Sequence, residues 1–398
     1  MKLSSLLLIT FMVPFSYGAT KVVSNAGVIL GCPAQYTKIQ AAVNAASPGD
    51  TVFVCNTGIP FNEQVTISKA IKLVGQTGAT IEPSSMVANT TSLTNLGPIA
   101  SAVLVTATTG VTISDLIVDG SQNQITSCSP TLIGVYFQNA SGTLAHSAVR
   151  YFALSPSLQG CPSGLGVYAE TDGGGGIATV IVDTNSVHDF QKNGITANET
   201  GATLTAEGNV VTGWGPTPEN AQNGIQIGFG ATGTLAGNTV SNLIYSPCTS
   251  PSNCSSTATG ILIYEASAGV VTKGNNVTNT QGAVYYLSSS NGTISGNTFS
   301  NTFVFDGIGV DTDGTNPGTG NTVTANTIVN SSESGIYIDT AGNFVTDNKI
   351  VETPIGIWFV TPGSSQSGNS FYATPVTVEN GVPPAQVGHQ ARKPQPVH

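Results

Sequence analysis

From residue 194 onward the chain repeats one phrase: a glycine opening a short apolar strand, then an asparagine about fifteen residues later. The openings are Gly194-Ile195-Thr196-Ala197, Gly224-Ile225-Gln226-Ile227, Gly260-Ile261-Leu262-Ile263, Gly282-Ala283-Val284-Tyr285, Gly307-Ile308-Gly309-Val310, Gly335-Ile336-Tyr337-Ile338 and Gly356-Ile357-Trp358-Phe359. The echoes are Asn209, Asn238, Asn275, Asn297, Asn326, Asn348 and Asn369. Successive glycines stand 30, 36, 22, 25, 28 and 21 residues apart, so a coil of 21 or 22 residues carries loops of varying length. A unit this short buries its apolar face only against the next unit, which makes a solenoid.

Within each strand apolar and variable residues alternate, the period of a strand with one buried face. Gly, Asn, Thr and Ser punctuate the sequence every ten residues or so. Looser copies occur at Gly134 and Gly166, with Asn185 as an echo. Asparagine tolerates left-handed backbone and bonds nearby main chain, so it suits a corner between sheets. Stacked at one corner, such residues are expected to form a ladder. A turn-rich sandwich is the competing architecture, but it gives no reason for a fixed strand-to-asparagine interval.

Residues 1–18 read as a secretory leader: Met1-Lys2, an apolar run from Leu6 to Val13, then small residues up to Gly18 and Ala19. A secreted, periplasmic or cell-surface location is therefore expected, with no membrane span. Six cysteines in an exported chain suggest three disulfides. Cys128 and Cys161 precede Gly134 and Gly166 at equivalent places, Cys248 and Cys254 share one insert, and Cys32 and Cys55 remain for the amino-terminal region. The sequence has no CxxC pair and its histidines are scattered, which disfavours a metal cluster. With 11 basic and 21 acidic residues the net charge is −10, so a nucleic-acid partner is not expected.

Residues 36–46 form the one convincing helix, with Ile39, Ala42, Val43 and Ala46 on one face and Ser47-Pro48-Gly49-Asp50 as its terminator. It is expected to cap the apolar end of the first coil. The domain is placed at residues 19–378. The tail 379–398, with four prolines and no periodicity, is expected to be disordered.

The stretch from Ile39 to Val54, followed by Val65-Thr66-Ile67 and Ile71-Lys72-Leu73-Val74-Gly75, resembles the opening of right-handed parallel β-helix proteins of the pectin-lyase-like superfamily. The glycine–asparagine phrases resemble their repeat, and the resemblance covers about residues 36–376. It implies an all-β right-handed solenoid. It does not choose among lyases, hydrolases, esterases, epimerases, adhesins and copper-maturation proteins. The contiguous catalytic motifs of these enzymes are absent, and soft copper ligands are too few.

Chemistry must then be sought by position. If the strands stack in register, their third and fifth positions point outward, giving a stripe of Tyr136, Tyr168, Gln226, Tyr264, Tyr286, Tyr337 and Trp358 with Glu170, Asp311 and Asp339. Rings that cover a sugar face and carboxylates that accept hydroxyl protons suit a glycan. Tyr264, Tyr286, Tyr337, Trp358 and Glu170 are the expected substrate contacts. Asp311 and Asp339 share a slot on consecutive coils, ~4.8 Å apart, which suits an acid/base pair. Asp306 and Asp313 lie nearby. Turn-capping aspartates or a Ca²⁺ site at Asp311 and Asp313 are the alternative readings; otherwise no cofactor is expected. A second set, His146, Arg150, His188, Asp189 and Lys192, holds the cation and base of a lyase, but nothing in the sequence assembles it. The sequence thus points to a monomeric glycan hydrolase or polysaccharide lyase, with a non-catalytic adhesin or glycan-binding protein as the rival class.

Overall fold

The computed structural model describes residues 18–381 and 396–397. The expected leader lies outside these residues except for Gly18, as do residues 382–395 and 398 of the expected tail. Three sheets run the length of the described chain, two of 13 strands and one of 11. One coil shows the path. Asn193–Asn198 lies in one sheet, the front, Ala202–Glu207 in the back sheet and Val210–Thr217 in the side sheet; Asn223–Gly228 then returns to the front. Every pairing between successive coils is parallel; the short strand Thr90–Thr91 pairs antiparallel with Pro98–Thr106. The interior is one continuous apolar cluster, running from Val23 and Ile39 at one end to Ile357 and Phe359 at the other.

The glycines that open the front strands are set by space. A Cβ on Gly194 would stand 2.6 Å from the carbonyl oxygen of Gly224 and 2.6 Å from a methyl of Val211. On Gly224 it would meet the carbonyl of Gly260 and a methyl of Val240, both at 2.5 Å. The coil after Gly260 departs from this pattern. Thr259 pairs with Gly282 and Ile261 with Val284, so Ala283, not Gly282, stands level with Gly260.

The asparagines line the corner between back and side sheets, and there the sequence expectation needs a correction. The left-handed residue is the one before each asparagine: Gly208, Gly237, Gly274 and Gly296 at φ of 62–65°, with Ala325 and Asp347 taking the same turn. The asparagine instead carries the hydrogen bonds. Asn238 donates through Nδ2 to the carbonyl of Ala206 (2.9 Å) and to Oδ1 of Asn275 (2.9 Å), while its backbone N–H donates to the same Oδ1 (2.9 Å). The step repeats from Asn185 through Asn348 to Asn369. A ladder this complete satisfies buried polar groups that would otherwise be costly.

Helix α1 (Ile39–Ala45) buries Ile39, Ala42 and Val43. Its ends are closed by groups from the first coils. The Glu63 carboxylate accepts the N–H of Ile39 (2.7 Å) and Gln40 (2.9 Å), and the Lys69 ammonium donates to the carbonyls of Val43, Asn44 and Ala46. Opposite charges thus sit at the ends the helix dipole favours. The disulfides are Cys32–Cys55, Cys128–Cys161 and Cys248–Cys254, the pairing expected from the sequence. At the far end the last front strand is Val376–Asn380, two residues past the expected boundary at 378, because Ile357 and Phe359 pair with Val378 and Asn380.

Candidate functional site

The outer face of the front sheet carries the expected stripe, but the chain itself covers most of it. Tyr136 and Tyr168 stack with ring centroids 5.4 Å apart, and both are fully buried. Glu170, expected to touch substrate, is buried beneath the 92–94 segment: it accepts Ser92 Oγ (2.7 Å), Thr94 Oγ1 (2.5 Å), the N–H of Leu93 (3.2 Å) and the Tyr136 hydroxyl. Burial first, and the Glu170 charge second, push the Tyr136 and Tyr168 phenols far above their usual range, so both stay protonated.

The insert between Tyr245 and Thr259 covers the middle of the face, where its Cys248–Cys254 loop packs on Leu262, Tyr285 and Phe305. Tyr286 is a correction. The one-residue register change at Gly282 turns it into the core, where its hydroxyl meets Thr272 Oγ1 (3.0 Å) and the carbonyl of Val270 (3.1 Å). Gly292 leaves room for the ring. Tyr337 and Trp358 do point outward and meet edge to face at 5.5 Å, but both are buried, and the Trp358 indole donates to the carbonyl of Gly381 (2.8 Å). A buried indole with its donor used leaves no ring face for a sugar.

Between the two covered zones the outward slots are almost all amides. Asn193, Thr196, Asn198, Asn223 and Gln226 are fully buried and hydrogen-bonded to one another: Asn193 Nδ2 to Gln226 Oε1 (2.9 Å), Gln226 Nε2 to Asn198 Oδ1 (2.9 Å), Asn223 Nδ2 to Asn193 Oδ1 (3.2 Å). Val397 lies over them, 2% exposed. The sequence expectation of a loose tail thus does not extend to this residue.

The accessible chemistry sits at the corner between front and back sheets. Val310 pairs with Ile338, so Asp311 and Asp339 follow in the same slot of consecutive coils, as expected. Both are half-buried. Asp311 Oδ1 accepts the N–H of Thr312 (2.7 Å); Asp339 accepts Thr361 Oγ1 (3.0 Å) and the Tyr337 hydroxyl (3.3 Å). Asp306 is apart from them: it is fully buried and accepts Ser334 Oγ (2.5 Å) and the Tyr285 hydroxyl (3.1 Å).

Asp313 reaches back two coils. It accepts the Tyr264 hydroxyl (2.9 Å), Ser288 Oγ (2.5 Å), Thr315 Oγ1 (2.6 Å) and the N–H of Thr315 (2.9 Å). Desolvation pushes its carboxyl up, but these donors outweigh that and hold it well below the usual range. Burial, together with the Asp313 hydrogen bond, pushes the Tyr264 phenol up. Phe229, which the sequence reading missed, meets Tyr264 edge to face at 5.1 Å, and both rings are only partly buried. Thr315 Oγ1 also meets Glu265 Oε1 at 2.9 Å. The corner therefore combines two partly exposed rings with four carboxylates, of which Asp313 is held ionised. Among the described residues no three His, Cys, Asp or Glu side chains form a group that could hold a metal ion.

The lyase-like set is only half assembled. Arg150 and His188 pair across the side sheet, with Arg150 Nε on Asp119 (2.7 Å) and His188 Nδ1 on Asp189 (2.6 Å). His146 lies instead at the back-to-side corner, in its left-handed position. Lys192 is buried, its ammonium on the carbonyl of Ala221 (2.6 Å), and desolvation lowers its pKa to about 7.

Residues 218–372 match the sequence family described as "Right handed beta helix region". By sequence, no curated protein matches the chain. Among solved structures, a GH136 lacto-N-biosidase from Eubacterium ramulus is similar at 13% identity and a TM-score of 0.58, over 89% of this chain and 67% of that one. PfbA, a surface adhesin of Streptococcus pneumoniae, is similar at 15% identity and 0.58, over 86% of each chain. The catalytic domain of a GH87 alpha-1,3-glucanase is similar at 12% and 0.59, over 96% and 68%. Identities this low show the fold, and the chain is a right-handed parallel β-helix.

Proposed function

We propose that this protein is exported and engages an extended glycan along the front-to-back corner, from Phe229 to Asp339. The observation that carries this reading is the partly exposed Tyr264, with Phe229 edge to face against it, beside an ionised, hydrogen-bonded Asp313. The rings would cover an apolar sugar face while Asp311, Asp313, Asp339 and Glu265 accept hydroxyl protons. Neighbours that share the fold include proteins named for glycan cleavage and one named as a surface adhesin, which supports a glycan as the ligand class. Three disulfides suit an oxidising compartment outside the cytoplasm. Among the described residues no helix is long and apolar enough to cross a membrane.

Binding is the reading favoured here, because the buried stripe withholds the centre of the sheet from an open polymer. The shared slot of Asp311 and Asp339 favours a second reading, hydrolysis by that pair. A panel of plant and microbial polysaccharides separates the two by retention, reducing-end release and absorbance of unsaturated products. Retention that survives Asp311→Asn with Asp339→Asn but is lost in Tyr264→Ala supports binding. Reducing ends that vanish in the double variant support hydrolysis. Retention unchanged by Tyr264→Ala places the ligand elsewhere and sinks the binding reading; no reducing ends from any polysaccharide sinks hydrolysis.

A further inference from the structure

The amide floor holds an occupant, and the way it is held is specific. Gln226 Oε1 accepts the N–H of Val397 (3.1 Å) while Gln226 Nε2 donates to the carbonyl of the same residue (2.8 Å). Asn198 Nδ2 adds a second bond to that carbonyl (2.6 Å). One glutamine thus meets both main-chain groups of one residue, as a neighbouring strand would. The isopropyl group joins the apolar cluster that also holds Leu165 and the Tyr136–Tyr168 stack. Pro396 has no N–H, so Val397 is the residue able to make the paired contact.

We propose that this groove is a peptide-docking site whose occupant is the Pro396–Val397 segment of the same chain. The recognised chemistry is an extended main chain bearing one branched apolar side chain, and its docking closes the amide floor. Reach is no obstacle. Gly381 is itself fixed over Trp358, and fourteen residues lie between it and Pro396, an extended span of ~50 Å. The strand carrying Trp358 lies five pairings from the strand carrying Gln226, ~24 Å. The floor explains why amides line these coils where tyrosines line those before them. Neutral groups that donate and accept can pair with main chain, and a carboxylate there would repel the carbonyl.

The test uses the full-length protein and a fluorescein-labelled peptide of residues 390–398. Wild-type protein, its groove filled, should bind the peptide weakly. Val397→Asp places a charge in this apolar cluster and expels the segment, so this variant should bind the wild-type peptide at least tenfold more tightly. Gln226→Leu added to Val397→Asp should abolish that gain, and a peptide carrying the same Val397→Asp change should not bind. Melting curves confirm that each variant is folded. Equal peptide affinity for wild type and Val397→Asp overturns the proposal, as does a gain that survives Gln226→Leu. No glycan enters this experiment, so it stands or falls apart from the function proposed above.

Discussion

The corner between back and side sheets and the corner between front and back sheets carry the same chain through the same coils, yet they differ in almost everything. At the first, one left-handed residue and one buried asparagine repeat from coil to coil, and each asparagine saturates its neighbour. At the second, the link is three residues between Gln138 and Gly142 but ten between Asp311 and Thr322. A buried corner must answer every polar group within a fixed span, which leaves one solution. An open corner has water as a partner and tolerates any length. Chemistry accumulates where the repeat is not needed to hold the rod.

That contrast can be broken most severely inside the repeat. Gly224→Val would force a branched side chain into the carbonyl of Gly260 and the Val240 methyl, and we expect a loss of about 3 kcal/mol or more in urea unfolding. Asn275→Ala would strip the partner from the N–H and Nδ2 of Asn238 and is expected to cost about 2–3 kcal/mol by the same measurement. A loss under 0.5 kcal/mol, as is usual for a surface substitution (roughly ±0.5 kcal/mol), would mean that water replaces the ladder.

Next in size is a pH effect from Lys192. Its pKa falls to about 7 in the fold, against an ordinary value near 10.5, so the unfolded chain binds the extra proton between these values. Stability should therefore rise as pH goes from about 7 to about 10, and be flat with respect to this group below 7. Melting temperatures of wild type and Lys192→Met across pH 6–10 check this, because the variant should lack the rise. The smallest effect belongs to the open corner. Asp313→Asn is expected to change stability by less than about 1 kcal/mol, since the group is only partly buried and solvent screens it. Its lowered pKa adds stability that is present above the ordinary carboxylate range and is lost as pH falls through the folded value. The same variant should weaken glycan retention several-fold.

The architecture was legible because its cause is local: glycine where two coils touch, asparagine where a corner must be saturated, cysteines at matched places. The placement of Asp311 beside Asp339 followed from the same spacing. Tyr286 did not, because Gln281-Gly282-Ala283 offers two small residues for one slot, and the inward turn depends on space left by Gly292 for Tyr286 and by Gly282 and Gly309 for Tyr285. The burial of Glu170, Tyr337 and Trp358 was equally hidden. The Ser92–Thr94 segment on Glu170 and Gly381 on Trp358 lie far from the repeat or at its edge, and no periodicity points from one to the other. Asp313 reaches Tyr264 across 49 residues through a loop the repeat does not govern.

The Val397 contact spans 199 residues to Asn198 and 171 to Gln226, which gives it a place in time. A chain is made from its amino end, and domains fold as they emerge. Both amides are synthesised, and their coils can stack, long before residue 397 exists. Throughout that interval the floor of the groove faces solvent, so the protein passes through a youth in which its middle coils are open and closes them only after the last coil is built.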